Sequence, residues 1–202
     1  MTDPPKPIES GHDWEASYAG VPPWDIGRPQ PVFLRLASSG QLHGRVLDVG
    51  CGTGEHALMA AALGLSVTGV DVAPTAIRAA QRKAEDRKLD VRFVEWDAFD
   101  LPGLGEHFDT VLDCGVFHVF DDDERRRFVD ALRSVTVAGG RYHMLCFSEL
   151  EAGDWGPRRV TEREFREAFA DGWHVESLER AVLDLTTRPD GAQAWSATVR
   201  RS

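Results

Sequence analysis

The chain has 202 residues, of which 42% are hydrophobic and 28% charged, so it is long enough to bury the core of one globular domain. Its formal net charge of −10 argues against a nucleic-acid partner, because binding to a phosphate backbone needs many Lys and Arg side chains. No apolar run approaches the ~20 residues of a membrane span and no signal peptide is apparent, so we expect no membrane partner.

The first 40 residues differ in composition from the rest of the chain. Residues 1–13 are rich in proline and polar residues, which predicts a disordered tail. Residues 14–40 begin with aromatic side chains that follow no regular period, and they end in a short helix that Pro31 opens and Gly40 stops. We expect this segment to pack on the remaining domain, residues 41–202, because its aromatic side chains need a surface to cover them.

From residue 41 onward, short apolar strands alternate with helices. The predicted strands cover 46–49, 66–70, 91–95, 108–112 and 141–147, and the predicted helices between them cover 57–63, 74–87 and 121–135. This order predicts an α/β fold with a parallel sheet that helices cover on both faces.

The last 45 residues or so follow a different pattern. Thr161 and Glu164 have the spacing of a helix-capping box. Two strand candidates then follow, over 173–178 and 192–200, with a predicted turn at 188–191 between them. Because no helix separates these two strands, we expect them to form an antiparallel pair.

The three cysteines, Cys51, Cys114 and Cys146, are far apart in the sequence. They form no CxxC pair and have no zinc-ligand spacing with a histidine, which predicts free thiols and no metal. Free thiols are typical of a reducing compartment, so we expect a cytoplasmic protein.

A glycine-rich turn connects the first strand to the first helix of the domain. Gly50, Gly52 and Gly54 have the spacing GxGxG, and the acidic residue Asp48 precedes them. Glycine permits a close approach of the backbone to a ligand, and the helix that follows offers free N–H groups. The dinucleotide-binding loop has the spacing GxGxxG instead, so the sequence disfavours a nicotinamide-dependent oxidoreductase.

Two further acidic residues follow the next two strands. Asp71 ends the second strand, where its carboxylate is placed to accept both hydroxyls of a ribose. Asp97 follows the third strand, where it is placed to accept from an adenine amino group, and the N–H of Ala98 suits a ring nitrogen. The carboxyl ends of adjacent parallel strands meet in one crevice, so these groups are predicted to form one site with the glycine loop.

The motifs VLDVGCGTG and GVD, together with the acid after the third strand, resemble those of the class I S-adenosylmethionine-dependent methyltransferases over residues 44–200. The resemblance implies a Rossmann-like, doubly wound sheet of seven strands, mostly parallel with an antiparallel last strand. It also implies S-adenosylmethionine as the cofactor, S-adenosylhomocysteine as the product and no metal. The predicted cofactor residues are Trp24, Asp48, Gly50, Cys51, Gly52, Gly54, Asp71, Val72, Asp97, Ala98 and Cys114.

The segment 113–118 after the fourth strand bears on the methyl acceptor. It lacks the Asn/Asp-Pro-Pro-Tyr motif of enzymes that methylate base amines, and no proline precedes Cys114 as in enzymes that methylate pyrimidine carbon. The segments 23–31 and 153–160 resemble parts of the thiopurine, thiol and halide methyltransferases and of related bacterial enzymes for heterocyclic hydroxyls and quinolones, in which the first is a lid. We therefore expect transfer to S, O or N of a small aromatic or heterocyclic molecule, with a thiol or hydroxyl favoured, in detoxification or secondary metabolism.

Individual roles at the acceptor side stay open in the sequence. Methyl transfer from a sulfonium is an in-line displacement in which alignment supplies much of the rate, so a general base is needed only for a protonated acceptor. His118 and Tyr18 are the catalytic candidates, although His118 also suits a packed histidine and Tyr18 an anchor for the lid. The candidate substrate-binding residues are Trp14, Phe117, Arg158 and Arg159, of which the two arginines also suit a surface role.

The sequence leaves one further alternative. None of these side chains is unambiguously catalytic, so a non-catalytic protein that binds S-adenosylmethionine also fits the motifs. The sequence is compatible with a monomer or a homodimer.

Overall fold

Six α-helices, two short 3-10 helices (Ala98–Leu104 and Phe117–Val119) and seven strands make up the regular structure of the described residues. The computed structural model describes residues 12–202, so residues 1–11 of the predicted tail over 1–13 lie outside the described residues. The helices are α1 (Trp14–Ser17), α2 (Pro31–Ser38), α3 (Glu55–Ala62), α4 (Pro74–Arg87), α5 (Asp122–Val135) and α6 (Glu162–Ala168). The strands are β1 (Arg45–Val49), β2 (Ser66–Asp71), β3 (Arg92–Glu95), β4 (Phe108–Cys114), β5 (Thr136–Phe147), β6 (Trp173–Leu185) and β7 (Arg188–Arg201).

The strands form one sheet in the order β3-β2-β1-β4-β5-β7-β6. β7 lies between β5 and β6 and runs antiparallel to both, whereas the pairs among β1 to β5 are all parallel. The predicted Rossmann-like, doubly wound sheet with an antiparallel last strand is confirmed. The strand order reverses direction between β1 and β4, so a crevice opens at their carboxyl ends.

Helix starts follow the predicted capping signals. Asp121 accepts hydrogen bonds from the backbone N–H groups of Asp123 and Glu124, and the Glu124 side chain accepts from the Asp121 N–H in return. Thr161 and Glu164 form the same reciprocal pair at the start of α6, as predicted. These contacts satisfy N–H groups that the helices themselves leave without partners.

The predicted turn at 188–191 is wrong. Leu185 pairs directly with Arg188, so the β6–β7 hairpin turns at Thr186 and Thr187. Gly191 instead lies within β7 at a shift of register, with a positive φ of 65°. A Cβ atom there would lie 2.6 Å from the Leu183 carbonyl oxygen, so the glycine is required by a bulge rather than by a turn.

The strand β5 begins earlier than the predicted residue 141. It starts at Thr136, directly after α5, and Gly139 and Gly140 lie inside a register shift between Phe108↔Thr136 and Thr110↔Arg141. A bulge of this kind keeps both ends of a strand in the sheet while the middle bends away.

The sheet separates two apolar layers. One layer joins α5 and α6 to the sheet through an aromatic cluster, in which Phe165 lies 5.8 Å from Phe117 and 4.9 Å from Phe169 between ring centroids. The other layer joins α2, α3 and α4 to the opposite face. In the part of the chain that the structure describes, no helix is long and apolar enough to cross a membrane.

The aromatic cluster gives a stability prediction. Phe165→Ala should lower the free energy of unfolding by about 3–5 kcal/mol, because it removes a fully buried ring and leaves a cavity. Urea unfolding followed by circular dichroism measures this difference. The control Leu63→Ala, at a side chain that is 53% exposed, should change it by less than about 0.5 kcal/mol. Equal effects of the two changes would contradict the assignment of Phe165 to the core.

Candidate active site

A cavity of about 860 Å³ opens at the carboxyl ends of the strands, under the N-terminal segment. This volume lies in the upper part of the range for ligand sites, which suits a cofactor together with an acceptor. The turns after β1, β2 and β3 line one half of the cavity. The other half is lined by residues after β4 and β5 and at the end of β6, on the opposite side of the strand order.

The glycine loop after β1 depends on a close approach of neighbouring groups. Gly50, Gly52 and Gly54 all have positive φ values and all line the cavity. A Cβ atom on Gly54 would lie 2.7 Å from the Phe93 ring, and one on Gly52 would lie 2.9 Å from the Tyr18 hydroxyl. The loop therefore has no room for side chains at these positions.

Asp48 lies beneath this loop and is 1% exposed. Its Oδ2 accepts a hydrogen bond of 3.0 Å from the Ala57 backbone N–H, in the first turn of α3. Gly54 caps that helix without a side chain, so Asp48 supplies the missing acceptor. Burial raises the pKa of Asp48 to about 8. Asp48 thus supports the loop from below and is absent from the residues that line the cavity, among which we expected it.

The predicted ribose and adenine residues face the cavity together. Asp71 accepts from the backbone N–H of Gly52 at 2.8 Å and of Ala73 at 2.9 Å, and burial raises its pKa. Each carboxylate oxygen has a second lone pair for a ligand hydroxyl. Asp97 accepts from the Phe99 N–H at 2.8 Å. The cavity lining here consists of Asp71, Val72, Trp96, Asp97, Ala98 and Phe99.

Asp113, at the end of β4, was missed as a site residue. Its buried carboxylate accepts from the N–H groups of Val116 at 2.8 Å and Phe117 at 3.1 Å, and from the Tyr142 hydroxyl at 2.6 Å. Burial raises its pKa to about 6. These bonds fix the turn that places Cys114 at the cavity surface. The sequence offered one signal for this role, because Asp113 is an acidic residue directly after the predicted strand 108–112.

His118 lines the cavity next to this turn and is 5% exposed. Its Nδ1 accepts a hydrogen bond of 2.8 Å from the Phe147 backbone N–H. Burial lowers the pKa of His118 to about 3, and the positive charges of Arg125 and Arg159 lower it further. The imidazole is therefore neutral near pH 7, and because Nδ1 is an acceptor, the proton is on Nε2.

Aromatic side chains of the N-terminal segment cover the glycine loop. The Trp24 Nε1–H donates to the Tyr18 hydroxyl at 3.3 Å, and the rings of Trp14 and Trp24 meet edge to face at 5.9 Å. Burial and the charge of Asp71 raise the pKa of Tyr18, so its hydroxyl stays protonated. All three aromatic side chains line the cavity.

Polar contacts hold the middle of this segment to both sides of the cavity, and the sequence did not predict them. Asp25 accepts from the Thr53 hydroxyl of the glycine loop at 3.0 Å. The buried Gln30 exchanges two hydrogen bonds of 2.9 Å with the backbone of Asp184 in β6, and the Thr186 N–H donates to the Pro23 carbonyl at 2.8 Å. These contacts join residues far apart in sequence, so no local pattern indicates them.

Three of the predicted substrate-binding residues are absent from the cavity lining. Phe117 is fully buried in the aromatic cluster beneath it. Arg158 pairs with Asp122 at 2.6 Å and with Glu164. Arg159 donates to backbone carbonyl groups of its own loop. Among the described residues, no cluster of His, Cys, Asp and Glu side chains could hold a metal ion.

The fold and the cavity together define a class of enzyme. A family model described as a methyltransferase domain matches residues 46–140. The chain is 36% identical to the 2-heptyl-1-hydroxyquinolin-4(1H)-one methyltransferase of Mycobacteroides abscessus over 87% of this chain and 80% of the relative. The chain therefore belongs to the class I S-adenosylmethionine-dependent methyltransferases, and it is a small-molecule methyltransferase with S-adenosylmethionine as its cofactor.

The chain is also similar to one further curated relative and to two solved structures. A probable thiol methyltransferase 2 of Arabidopsis thaliana is 29% identical over 79% of this chain and 72% of its own length. A protein solved in work on the conversion of a disulfide bond into a thioacetal group during echinomycin biosynthesis is 37% identical, with a TM-score of 0.85 over 93% of this chain and 91% of that one. The magnesium protoporphyrin IX methyltransferase of Synechocystis PCC 6803, solved with the bound cofactor, shares the fold at 23% identity and a TM-score of 0.68, over 85% of this chain and 76% of that one.

The raised pKa of Asp48 gives a prediction for stability against pH. The folded chain keeps a proton on Asp48 up to about pH 8, whereas the unfolded chain releases it near pH 4. Stability from this group is therefore lost as the pH rises from about 4 to 8. Asp48→Asn should remove that loss, about 1.4 kcal/mol per pH unit, because an amide stays neutral and still accepts the Ala57 N–H.

Urea unfolding between pH 5 and 8 measures this slope. The control Asp123→Asn, at a side chain exposed on α5, should leave the slope of the wild-type protein unchanged. Parallel curves for the wild-type and Asp48→Asn proteins would mean that Asp48 is ionised in the folded state.

Proposed function

We propose that the chain transfers the methyl group to a thiol or an acidic hydroxyl of a small aromatic or heterocyclic acceptor. One observation carries this proposal: His56 and His118, two histidines that line the cavity, each use a ring nitrogen to accept a backbone N–H, so that nitrogen is not free to act as a base. His56 accepts the Gln30 N–H on Nε2 with a pKa lowered by burial to about 4, and His118 is held in the same way. An acceptor that ionises without help suits such a cavity best.

The acceptor half of the cavity supports this choice by its shape and polarity. Its walls are apolar or aromatic, and they suit a planar ring more than a charged chain. These walls consist of Ile26, Phe147, Trp155, Leu183 and Leu185. The named relatives act on a 1-hydroxyquinolone and, in the plant case, are assigned to thiols, and both groups ionise more readily than a simple phenol.

The cofactor half suits the parts of S-adenosylmethionine. We propose that Asp71 holds the ribose hydroxyls, that Asp97 and the Ala98 N–H hold the adenine edge, and that Val72 packs on its face. The glycine loop and the Cys114 backbone then hold the methionine end, with Trp24 above them. When bound, the cofactor supplies an electrophilic methyl group on a sulfonium.

The chain itself aligns the reactants and excludes water. Residues 14–40 serve as a lid, because their aromatic side chains cover the glycine loop and their polar contacts reach β6. Tyr18 stays protonated and acts as a hydrogen-bond donor in the cavity. We assign His118 to fixing the turn after β4 against β5, through its bond to Phe147, in place of proton transfer. Alignment in a site shielded from water is what a displacement of this kind requires.

The cofactor half gives a binding prediction. Asp71→Asn should raise the dissociation constant of S-adenosylhomocysteine by about 10–100-fold, because hydrogen bonds to a charged acceptor contribute about 1.5–3 kcal/mol. Isothermal titration calorimetry measures the constant. The matched control Asp86→Asn, at an exposed position of α4, should bind like the wild-type protein. Unchanged affinity in Asp71→Asn would remove Asp71 from the site.

The acceptor half gives a prediction for the reaction. With labelled cofactor, thiophenols and hydroxyquinolones should be methylated at pH 7, and simple phenols at least ~100-fold more slowly, because their pKa is near 10. The kcat/KM should rise with pH and level off near the pKa of each acceptor. His118→Gln should keep those plateau positions, since no proton passes to residue 118 in the proposed reaction.

Two results would contradict this function. Transfer to protein or RNA with no small-molecule turnover would exclude the acceptor class. A plateau at one pH for every acceptor, lost in His118→Gln, would show that His118 is a general base after all.

A further inference from the structure

Arg159 fills the interior of the loop between β5 and α6, which contributes part of the acceptor wall. Its guanidinium donates only to backbone carbonyl groups of that loop. The acceptors are Glu151 at 3.3 Å, Gly153 at 3.1 Å, Trp155 at 2.8 Å and Pro157 at 2.5 Å. Four of the five N–H donors of the guanidinium are thus directed at the loop backbone.

The same guanidinium contacts two aromatic rings of the cavity wall. Arg159 lies 5.2 Å from the Phe147 ring centroid and 5.3 Å from that of Trp155, and the two rings meet edge to face at 5.1 Å. Arg188 lies over the Trp155 ring at 4.3 Å. Cation–π contacts of this kind favour one orientation of each ring. Arg159 therefore couples the loop backbone to the position of Trp155.

The base of the loop has its own attachment to the sheet. The Val160 N–H donates to the Phe147 carbonyl at 3.1 Å, and the Glu151 carboxylate accepts from the Gln193 N–H at 2.6 Å. Between these anchors, the carbonyl groups of Gly153, Trp155 and Pro157 bond to Arg159. The tip, residues 152–157, therefore depends on Arg159 more than the base does.

We propose that Arg159 is a positioning residue that fixes the acceptor wall, and that Trp155 is the side chain through which it acts. The cavity lining contains Phe147, Trp155, Gly156 and Pro157 and lacks Arg159. The inference rests on the proposed function only in assigning this half of the cavity to the acceptor. It differs from the expected role of Arg159 as a direct partner of the substrate.

The test compares Arg159→Met and Arg159→Lys with the control Arg163→Met. Arg163 lies on the surface of α6 with a side chain 80% exposed. Arg159→Met should lower kcat/KM for the acceptor by about 10–100-fold, mainly through KM, because displaced walls misalign the acceptor. Arg159→Lys should lose less, since one ammonium keeps the charge but serves fewer carbonyl groups. The dissociation constant of S-adenosylhomocysteine should stay within about twofold in all three variants.

Backbone order parameters from ¹⁵N relaxation give a readout that needs no turnover. The order parameters of residues 152–156 should fall in Arg159→Met, whereas those of β1 and α3 should match the wild-type protein. This result stands even if no thiol or hydroxyl acceptor is methylated, so it separates the loop role from the proposed function.

Three results would overturn the inference. Unchanged order parameters at residues 152–156 in Arg159→Met would show that the loop does not depend on Arg159. Loss of cofactor affinity equal to the loss for the acceptor would indicate a general structural defect. A loss confined to anionic acceptors, with neutral acceptors unaffected, would make Arg159 a direct charge partner of the substrate.

Discussion

The whole site depends on buried acidic side chains that lie at the ends of three neighbouring strands and accept hydrogen bonds from the turn that follows. Asp48 bonds to the first turn of α3, Asp71 to Gly52 and Ala73, and Asp113 to the turn that carries His118. Turns at strand ends contain N–H groups that the sheet does not satisfy, and the carboxyl oxygens accept from them. The rigid edge that results brings together the cofactor loop and the acceptor wall.

Above that edge, the N-terminal segment joins the two halves of the cavity. It bonds to the glycine loop through Asp25 and to β6 through Gln30. The same segment therefore lies over the cofactor half and the acceptor half of the cavity. The neutral state of His118 and His56 follows from the same enclosure, because burial disfavours a charged imidazole. The same packing arrangement thus covers the cavity and keeps these two imidazoles neutral.

Local patterns predicted the fold well. Strand and helix order, the caps at Asp121 and Thr161, and the grouping of Asp71 with Asp97 all follow from spacing over a few residues. The prediction of a turn at 188–191 was wrong because a Pro-Asp-Gly run also suits a bulge. Only the pairing with the neighbouring strand distinguishes a turn from a bulge. The sequence suggested Arg159 as a substrate ligand. Its observed partners are carbonyl groups of its own loop, and backbone carbonyl groups leave no pattern in a sequence. Long-range contacts, such as Gln30 with Asp184, lay beyond any local pattern.

The position of β7 between β5 and β6 has a consequence for biosynthesis. Strand β7 follows β6 in the sequence but lies between β5 and β6 in the sheet, so β5 lacks this neighbour until β7 has been synthesised. An open strand edge of buried residues invites pairing with other chains. The sheet can therefore be completed only once residues 188–201 have left the ribosome, and a chain that stops before residue 188 would leave the buried strand β5 with an open edge.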